Sequence, residues 1–256
     1  MGKKFWQETQ IVENIPVNTD TYYMKIYAPD IAANANPGQF VMAEVNMLQA
    51  PLLNRPLGIA GVDKRQKSIT IFYRVVGKGT YLLSQKRKAE CIRVLGPLGN
   101  GFELKAQRPL LIGGGMGLAP LLFAAQATCP VPVEVIAGGR TENELFWKSL
   151  FEEVCQQVHI TTDDGSLGTK GTCVSPLASL LSKNKFDAML ACGPIPMLRA
   201  VVEYAQSYRI PCQVSLEEHM ACGFGACLTC TCEKQDGGYF QVCKQGPVFR
   251  AGEVKL

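Results

Sequence analysis

Five cysteines crowd into residues 222–243 of a chain that has eleven cysteines in 256 residues. Cys222, Cys227 and Cys230 form a C-x4-C-x2-C run, and Cys243 follows after twelve intervening residues. This is the plant-type ligand spacing of a [2Fe-2S] cluster, in which four thiolates hold two irons. Glycine and alanine within the run let the loop wrap closely and aim its backbone N–H groups at the sulfurs. The spacing therefore predicts a cluster bound by these four cysteines.

Other uses of the cysteines fit the sequence less well. A structural zinc site usually pairs two C-x2-C motifs, and only one occurs here. A disulfide framework needs export and an even, dispersed set of cysteines. A Rieske centre needs two histidine ligands, but His159 lies far from His219 and four cysteines already suffice. Cys232 competes for the third ligand position, and the spacing favours Cys230, with Cys232 nearby as a neutral thiol.

A glycine-rich turn at residues 113–120 lies between an apolar strand pattern and a helical pattern. A strand, a glycine turn and a helix N-terminus together form an anion site, where free N–H groups and the helix dipole meet a pyrophosphate. The sequence Gly115-x-Gly117-x-x-Pro120 is a variant of the dinucleotide fingerprint, with proline at its last position. We expect the pyrophosphate over Gly115 and Gly117. A turn without a ligand is the alternative.

Two further residues follow strands of the same predicted sheet. Cys192 ends the fourth strand and opens a Cys-Gly-Pro turn. Ligands in open α/β sheets bind at the carboxyl ends of strands, so Cys192 is expected near the reactive end of a dinucleotide. The alternative is a buried cysteine before a helix-starting proline turn. Arg140 follows the second strand, where a cation could meet a 2′-phosphate.

A third set of candidates occupies turns of the amino-terminal half. Its members are Arg55, Pro56, Leu57, Gly58, Tyr73, Arg74, Gly79 and Thr80. The Arg55 guanidinium and the backbone amides around Gly79 and Thr80 can bind a cofactor pyrophosphate. Flavin is the expected occupant, and purely structural turns are the alternative.

Two architectures position these residues. From residue 6 to about residue 102, short β-type runs alternate with turns, which predicts a small antiparallel barrel. After residue 108, apolar strands alternate with helices, which predicts a doubly wound parallel sheet. The expected domains are a flavin-binding β-barrel at 1–103, a nucleotide-binding α/β domain at 104–211 and a metal-ordered cluster segment at 212–256. Barrel strands are expected at 21–28, 39–45, 68–76 and 91–95. Sheet strands are expected at 109–112, 131–137, 158–161 and 188–191, with helices at 119–128, 142–154, 174–182 and 197–207.

Composition narrows the class of protein. With 47% hydrophobic and 19% charged residues, the chain is typical of a folded globular protein. Its net charge of +4 includes no basic block beyond residues 86–88, so we expect no nucleic-acid partner. No apolar run approaches the roughly 20 residues of a membrane span. The first residues turn polar where a signal peptide would be apolar, so a cytoplasmic location is expected.

In their order along the chain, these motifs resemble the ferredoxin-reductase superfamily, which has an R-P-x-S/T flavin motif followed by G-x-G-x-x-P and C-G-P. Residues 220–227 and 242–249 narrow the resemblance to the electron-transfer subunits of class 1B dihydroorotate dehydrogenases. The resemblance covers essentially the whole chain. Gly58 departs from it, because the superfamily has serine or threonine at that position.

The resemblance implies a complex of pyrimidine biosynthesis. NADH would reduce FAD in this chain, FAD would pass electrons to the [2Fe-2S] cluster, and the cluster would reach FMN in a separate catalytic subunit, in a heterotetramer. A partner interface is expected near Phe224 and Leu228, because the cluster loop carries little side-chain bulk. Two alternatives are a redox subunit of the ferredoxin:NADP reductase or sulfhydrogenase flavoprotein type, and a zinc-stabilised nucleotide-binding regulator without redox activity.

Overall fold

Alternation of buried and exposed side chains builds the amino-terminal barrel. In the strand Thr21–Tyr27, Met24 and Ile26 are fully buried, Lys25 between them is partly exposed and Tyr27 is exposed. A period of two is that of a strand with one face on a core. The other barrel strands surround the same core.

The computed structural model describes residues 3–45 and 51–256. The barrel elements are β1 (Phe5–Pro16), β2 (Thr21–Tyr27), α1 (Pro29–Asn34), β3 (Phe40–Ala43), β4 (Arg55–Asp63), β5 (Ser68–Arg74), α2 (Lys78–Gln85) and β6 (Cys91–Leu98). The strands close in the order β1-β2-β5-β4-β3-β6, and all neighbours are antiparallel.

The antiparallel barrel predicted from the sequence is confirmed, but strands β1 and β4 were not foreseen. Only Ile11 of β1 is buried, so this strand lacks an alternating apolar face. Strand β4 opens with Arg55 and Pro56 and contains two glycines, which are residues typical of turns. Helices α1 and α2 were also not foreseen, and α2 contains the cofactor candidates Gly79 and Thr80, which the sequence analysis assigned to a turn.

Buried strands and helices alternate after residue 108. They are β7 (Pro109–Gly114), α3 (Leu118–Thr128), β8 (Glu134–Gly139), α4 (Trp147–Glu152), β9 (Gln157–Thr162), β10 (Thr169–Lys170), α5 (Leu177–Lys183), β11 (Ala188–Cys192), α6 (Ile195–Tyr208), β12 (Cys212–Ser215), β13 (Thr231–Glu233), β14 (Tyr239–Gln241), α7 (Val242–Gln245) and β15 (Val248–Arg250). Single-turn 3-10 helices occupy Gly115–Gly117 and Glu142–Glu144.

Seven of these strands form one sheet in the order β10-β9-β8-β7-β11-β12-β15. The first six are parallel, which confirms the predicted parallel sheet, and β15 runs antiparallel at its edge. The helix expected at 142–154 is instead a 3-10 turn followed by α4. The helix expected from residue 174 begins at Leu177, directly after Pro176.

The sheet continues into the segment assigned from the sequence to the cluster alone. Strands β12 and β15 lie beyond residue 211, yet they pair with β11 and with each other. Val214 is fully buried and Phe249 nearly so, which explains why these short strands join the core. The expected boundary at residue 212 therefore falls at the start of a sheet strand. Within the described residues, no helix is long and apolar enough to cross a membrane.

Aromatic packing joins the barrel to the sheet layer. Phe72 on β5 contacts Trp147 on α4, with ring centroids 4.7 Å apart, and Phe146 lies 4.4 Å from the same indole. Trp147 is only 1% exposed, so the indole fills the space between the two layers. Such pairs stabilise beyond the area that they bury.

We expect Trp147→Ala to lower the free energy of unfolding by about 3–5 kcal/mol, because it leaves a cavity between two layers that cannot both relax. Urea unfolding followed by circular dichroism measures the change. Trp6→Ala is the matched control, because Trp6 is 55% exposed; it should cost less than about 1 kcal/mol. Equal losses in the two variants would contradict this account of the interface.

Candidate cofactor cavity and cluster loop

A cavity of about 370 Å³ lies between the barrel and the parallel sheet. Predicted residues from both layers line it: Arg55, Pro56, Leu57, Gly58, Tyr73, Arg74, Thr80 and Cys192. Glu217 and Met220 complete the wall on the side of the cluster segment. The fold thus brings residues more than 100 positions apart into one site.

The remaining predicted residues lie beside the cavity rather than in its wall. Gly79 adjoins Arg55, and Gly117 adjoins the backbone of Cys192. Gly115 precedes Met116, which lines the cavity. The predicted flavin-binding residues of the barrel and the predicted nucleotide-binding residues of the sheet therefore meet at this cavity.

The barrel wall has the donors that a pyrophosphate requires. A side chain on Gly79 would collide with the Arg55 guanidinium, so glycine allows Arg55 to lie against the first turn of α2. The Thr80 hydroxyl accepts hydrogen bonds from the N–H groups of Val76 at 3.0 Å and Gly77 at 3.3 Å, which fixes that turn. A guanidinium beside a helix N-terminus suits an anion. These residues therefore fit the phosphates of a flavin dinucleotide.

Gly58 is not required by packing. A Cβ at this position would lie 3.6 Å from Cδ of Pro120, which is ordinary van der Waals contact. The site therefore has room for the first side-chain carbon of the serine or threonine that the family motif carries. Gly58 instead offers only backbone groups, and it pairs with Phe40 of β3.

The opposite wall combines Cys192 with two residues that the sequence analysis missed. Burial, followed by the charge of Glu217, raises the pKa of the Cys192 thiol far above its usual value, although a hydrogen bond with Ser215 opposes the shift. Burial also raises the pKa of Glu217. Ser215 ends β12 and Glu217 follows two residues later, so recognition of β12 as a strand would have drawn attention to both. Cys192 is therefore a neutral thiol beside a carboxyl group.

The glycine turn has two distinct parts. Gly115 has φ +56°, and a Cβ added there would meet nothing within 4 Å, so it faces open space. A Cβ on Gly117 would collide with the backbone carbonyl of Cys192. Gly117 is therefore required for contact between the two turns, and a bulky substitution there would displace Cys192 whatever ligand is bound.

Backbone N–H groups surround the sulfurs of the cysteine loop. Ala226 N–H donates to Cys222 Sγ at 3.3 Å, and Cys243 N–H donates to Cys230 Sγ at 3.4 Å. The Thr229 hydroxyl donates to Cys227 Sγ at 3.2 Å. Hydrogen bonds of this kind stabilise thiolates, which are the form that binds iron.

The four thiols form two pairs with different surroundings. In the first pair, the Thr229 hydroxyl and N–H lower the pKa of Cys227 to about 6. Burial opposes ionisation of Cys222, yet neighbouring N–H groups hold its pKa below the usual value. In the second pair, burial and then Cys230 raise the pKa of Cys243 to about 12. A buried thiol ionises readily only when a cation shares its charge, as a bound metal does.

This arrangement fits a cluster with two irons. Cys222 and Cys227 influence each other's ionisation, and Cys230 influences that of Cys243, which fits two pairs of thiolates with one iron for each pair. Over residues 3–45 and 51–256, no group of three or more His, Cys, Asp or Glu side chains is arranged to hold a metal ion, so the ligand assignment rests on the cysteine spacing and on the hydrogen bonds to the sulfurs. Cys232 is buried in β13 and burial raises its pKa, which fits the neutral thiol expected from the sequence.

Comparisons with known proteins agree with this arrangement. Residues 217–255 match the family profile of the iron-sulfur cluster binding domain of dihydroorotate dehydrogenase B. Among solved structures, an NADH-dependent reduced ferredoxin-NADP oxidoreductase superposes with a TM-score of 0.87 at 31% identity, covering 96% of this chain and 89% of the other. A ferredoxin NADP+ reductase from Neisseria gonorrhoeae shares the fold, with a TM-score of 0.65 at 14% identity, covering 79% of this chain and 91% of the other. The fold is that of a ferredoxin-reductase-like oxidoreductase with an iron-sulfur cluster binding domain.

Sequence relatives define the family more narrowly. The electron transfer subunit of dihydroorotate dehydrogenase B (NAD(+)) from Bacillus caldolyticus is 43% identical over 92% of this chain and 93% of its own length. The subunit of the same name from Fusobacterium nucleatum is 35% identical over 98% of both chains. This chain belongs to the family of dihydroorotate dehydrogenase B electron transfer subunits.

We expect Cys230→Ser to lose most bound iron and acid-labile sulfide, because each iron needs both thiolates of its pair. Ser substitutions at Cys222, Cys227 and Cys243 should behave alike. Iron and sulfide analysis of purified protein measures the effect. Cys232→Ser is the control and should retain its iron. Retention in Cys230→Ser together with loss in Cys232→Ser would reverse the ligand assignment.

Proposed function

We propose that this chain passes electrons between NAD(H), FAD and a [2Fe-2S] cluster, to or from the FMN of a dihydroorotate dehydrogenase catalytic subunit in cytoplasmic pyrimidine biosynthesis. The observation that carries the proposal is the shared cavity. Arg55 of the barrel, Cys192 of the sheet and Met220, two residues before the first cysteine ligand, all line it. The flavin-binding turns, the nucleotide-binding sheet and the segment leading into the cysteine loop thus all contribute residues to one cavity. Family membership supports the same reading.

Bound FAD supplies the ability to accept a hydride and to release its two electrons singly. The protein contributes binding and orientation. Arg55 and the first turn of α2 hold the pyrophosphate, while Tyr73 and Arg74 form the adjoining wall. Cys192 and Glu217 face them across the cavity, where the nicotinamide must approach. A neutral thiol at position 192 excludes water there without adding charge.

The cluster loop is packed against the barrel. A side chain on Gly223 would collide with Met42 of β3 and would lie 3.2 Å from Leu98 of β6. Gly223 has φ +76°, which glycine adopts at little cost. Phe40, on the same strand as Met42, lines the cavity. This packing supports direct electron transfer between the proposed flavin and the proposed iron ligands.

Exposed apolar side chains occur in the cluster loop and on β14 of the same segment. Phe224 is 48% exposed, Leu228 is 59% exposed and Tyr239 is 65% exposed. Leu228 has φ +61°, a conformation that is unfavourable for leucine by about 1–2 kcal/mol. A strained leucine directed to solvent fits an anchor for a partner protein. We place the FMN-containing catalytic subunit here, in a heterotetramer.

A second candidate has support from one observation. The NADH-dependent reduced ferredoxin-NADP oxidoreductase matches this chain at a TM-score of 0.87, which favours a redox subunit that serves a different partner. The 43% identity to a dihydroorotate dehydrogenase B subunit exceeds the 31% identity to that protein, so we prefer the first candidate. Affinity purification from the native cell, with identification of the bound chains and cofactors, distinguishes the two.

We expect Leu228→Asp to dissociate the complex, because a charge in a buried apolar contact has no partner. NADH-dependent orotate reduction should then fall at least tenfold, while NADH:dye reductase activity of the isolated chain persists. Size-exclusion chromatography and both assays measure the outcome. Ile15→Asp places the same charge at an exposed barrel residue and should leave the complex intact. A wild-type chain that binds no FMN-bearing partner at any salt concentration would contradict the proposal.

The nucleotide site is tested best at Gly115. We expect Gly115→Asn to raise the KM for NADH several-fold, because its side chain enters the open space where the pyrophosphate would lie, while asparagine tolerates positive φ. Steady-state dye reduction measures KM, and absorbance gives the FAD content, which should not change. Gly238→Asn is the matched control: Gly238 also has positive φ and open surroundings, but lies between β13 and β14. Equal KM values in both variants would exclude a pyrophosphate at Gly115.

A further inference from the structure

Arg140 occupies a position that commonly decides between NADH and NADPH. It directly follows β8, the strand that pairs with β7 and its glycine turn. In doubly wound sheets, a carboxylate near this point binds the ribose 2′-hydroxyl of NAD, whereas an arginine accommodates the 2′-phosphate of NADP. An unpaired Arg140 would therefore favour NADPH, opposite to the preference proposed above.

Glu144 pairs with one edge of the Arg140 guanidinium and with its backbone N–H. The Arg140 Nε donates to Glu144 Oε1 at 2.7 Å, its Nη2 contacts the same oxygen, and its backbone N–H donates to Oε2 at 2.9 Å. The Glu142–Glu144 3-10 turn holds this carboxylate beneath the guanidinium. The Glu144 side chain is 13% exposed and the Arg140 side chain 70% exposed. The ion pair is thus anchored on its carboxylate side.

Further charges make the surroundings of Arg140 net negative. Glu144 Oε1 also forms an ion pair with Nη2 of Arg74 in the barrel, at 3.3 Å. Nε of Arg74 in turn lies 3.4 Å from Oδ2 of Asp20. Asp20 and Asp163 both act on the Arg140 guanidinium electrostatically. The guanidinium groups of Arg74 and Arg140 are therefore outnumbered by three nearby carboxylates. A 2′-phosphate, with a charge of about −1.5 to −2, would enter a site whose cations are already neutralised.

We propose that Glu144 makes this site select a dinucleotide with a free 2′-hydroxyl, because it neutralises Arg140 and withholds it from a 2′-phosphate. The proposal rests on the NAD(H) role assigned above and names the residue that determines its specificity. Glu144 is a positioning residue in this scheme, since it acts through Arg140.

Isothermal titration calorimetry of the full-length protein with 5′-AMP and 2′,5′-ADP tests this without reference to activity. The two probes differ only in the 2′-phosphate. The wild type should bind 5′-AMP at least as tightly as 2′,5′-ADP. In Glu144→Gln, affinity for 2′,5′-ADP relative to 5′-AMP should rise at least about fivefold, which is the effect of one unit charge about 4 Å away in water.

Matched variants identify the cause. Glu142→Gln removes the same charge from the same turn and should change the ratio by less than about twofold. The double variant Glu144→Gln with Arg140→Gln should return the ratio to the wild-type value. Arg140→Gln alone leaves the Glu144 carboxylate without its partner and should lower the ratio. The preference of the wild type for 5′-AMP tests the proposal even if Glu144→Gln does not fold.

Several results would overturn the proposal. They are a wild type that prefers 2′,5′-ADP, an unchanged ratio in a folded Glu144→Gln protein, and an equal rise in the double variant. A different measurement tests the function proposed above: it fails if the wild type shows no NADH-dependent dye reduction.

Discussion

Two close contacts that only glycine permits set the distances between the candidate sites. Gly117 brings the glycine turn after β7 against the backbone of Cys192 at the end of β11, and Gly223 brings the cluster loop against Met42 of the barrel. A Cβ at either position would overlap a neighbouring atom, so one of the two parts would have to move. Because electron transfer requires short distances, the cavity and the cluster loop are useful to each other only while both contacts hold.

Cysteine serves two opposite purposes in this structure, and the surroundings decide which. Cys192 lies in a cavity wall where burial and a nearby carboxyl group keep its thiol protonated. Cys227 lies at the surface, where the Thr229 hydroxyl and N–H favour the thiolate. The residue type alone therefore says little about chemistry. Local donors separate a candidate metal ligand from a neutral packing group, and they depend on the conformation of the loop.

The sequence revealed the features that depend on local pattern. The cysteine spacing, the glycine turn and the alternation of strands and helices were all recognised, and the barrel and parallel sheet followed from them. Features that depend on distant residues were missed. Glu217 gains its place only because β12 joins the sheet beside β11, and β12 is too short to show a periodicity. The role of Gly117 in packing depends on Cys192, which lies 75 positions further along the chain.

Charge connects the flavin side of the cavity with the nucleotide end of the sheet. Arg74 lines the cavity and pairs with Glu144, which in turn holds Arg140 at the end of β8. Glu144 ionises readily despite its burial, because hydrogen bonds from Arg140 and the charge of Arg74 lower its pKa. Loss of this carboxylate would leave Arg74 with Asp20, a more exposed partner, as its ion pair. The two sites are therefore not electrostatically independent, and any change in nucleotide preference at Glu144 carries a change in the environment of the proposed flavin.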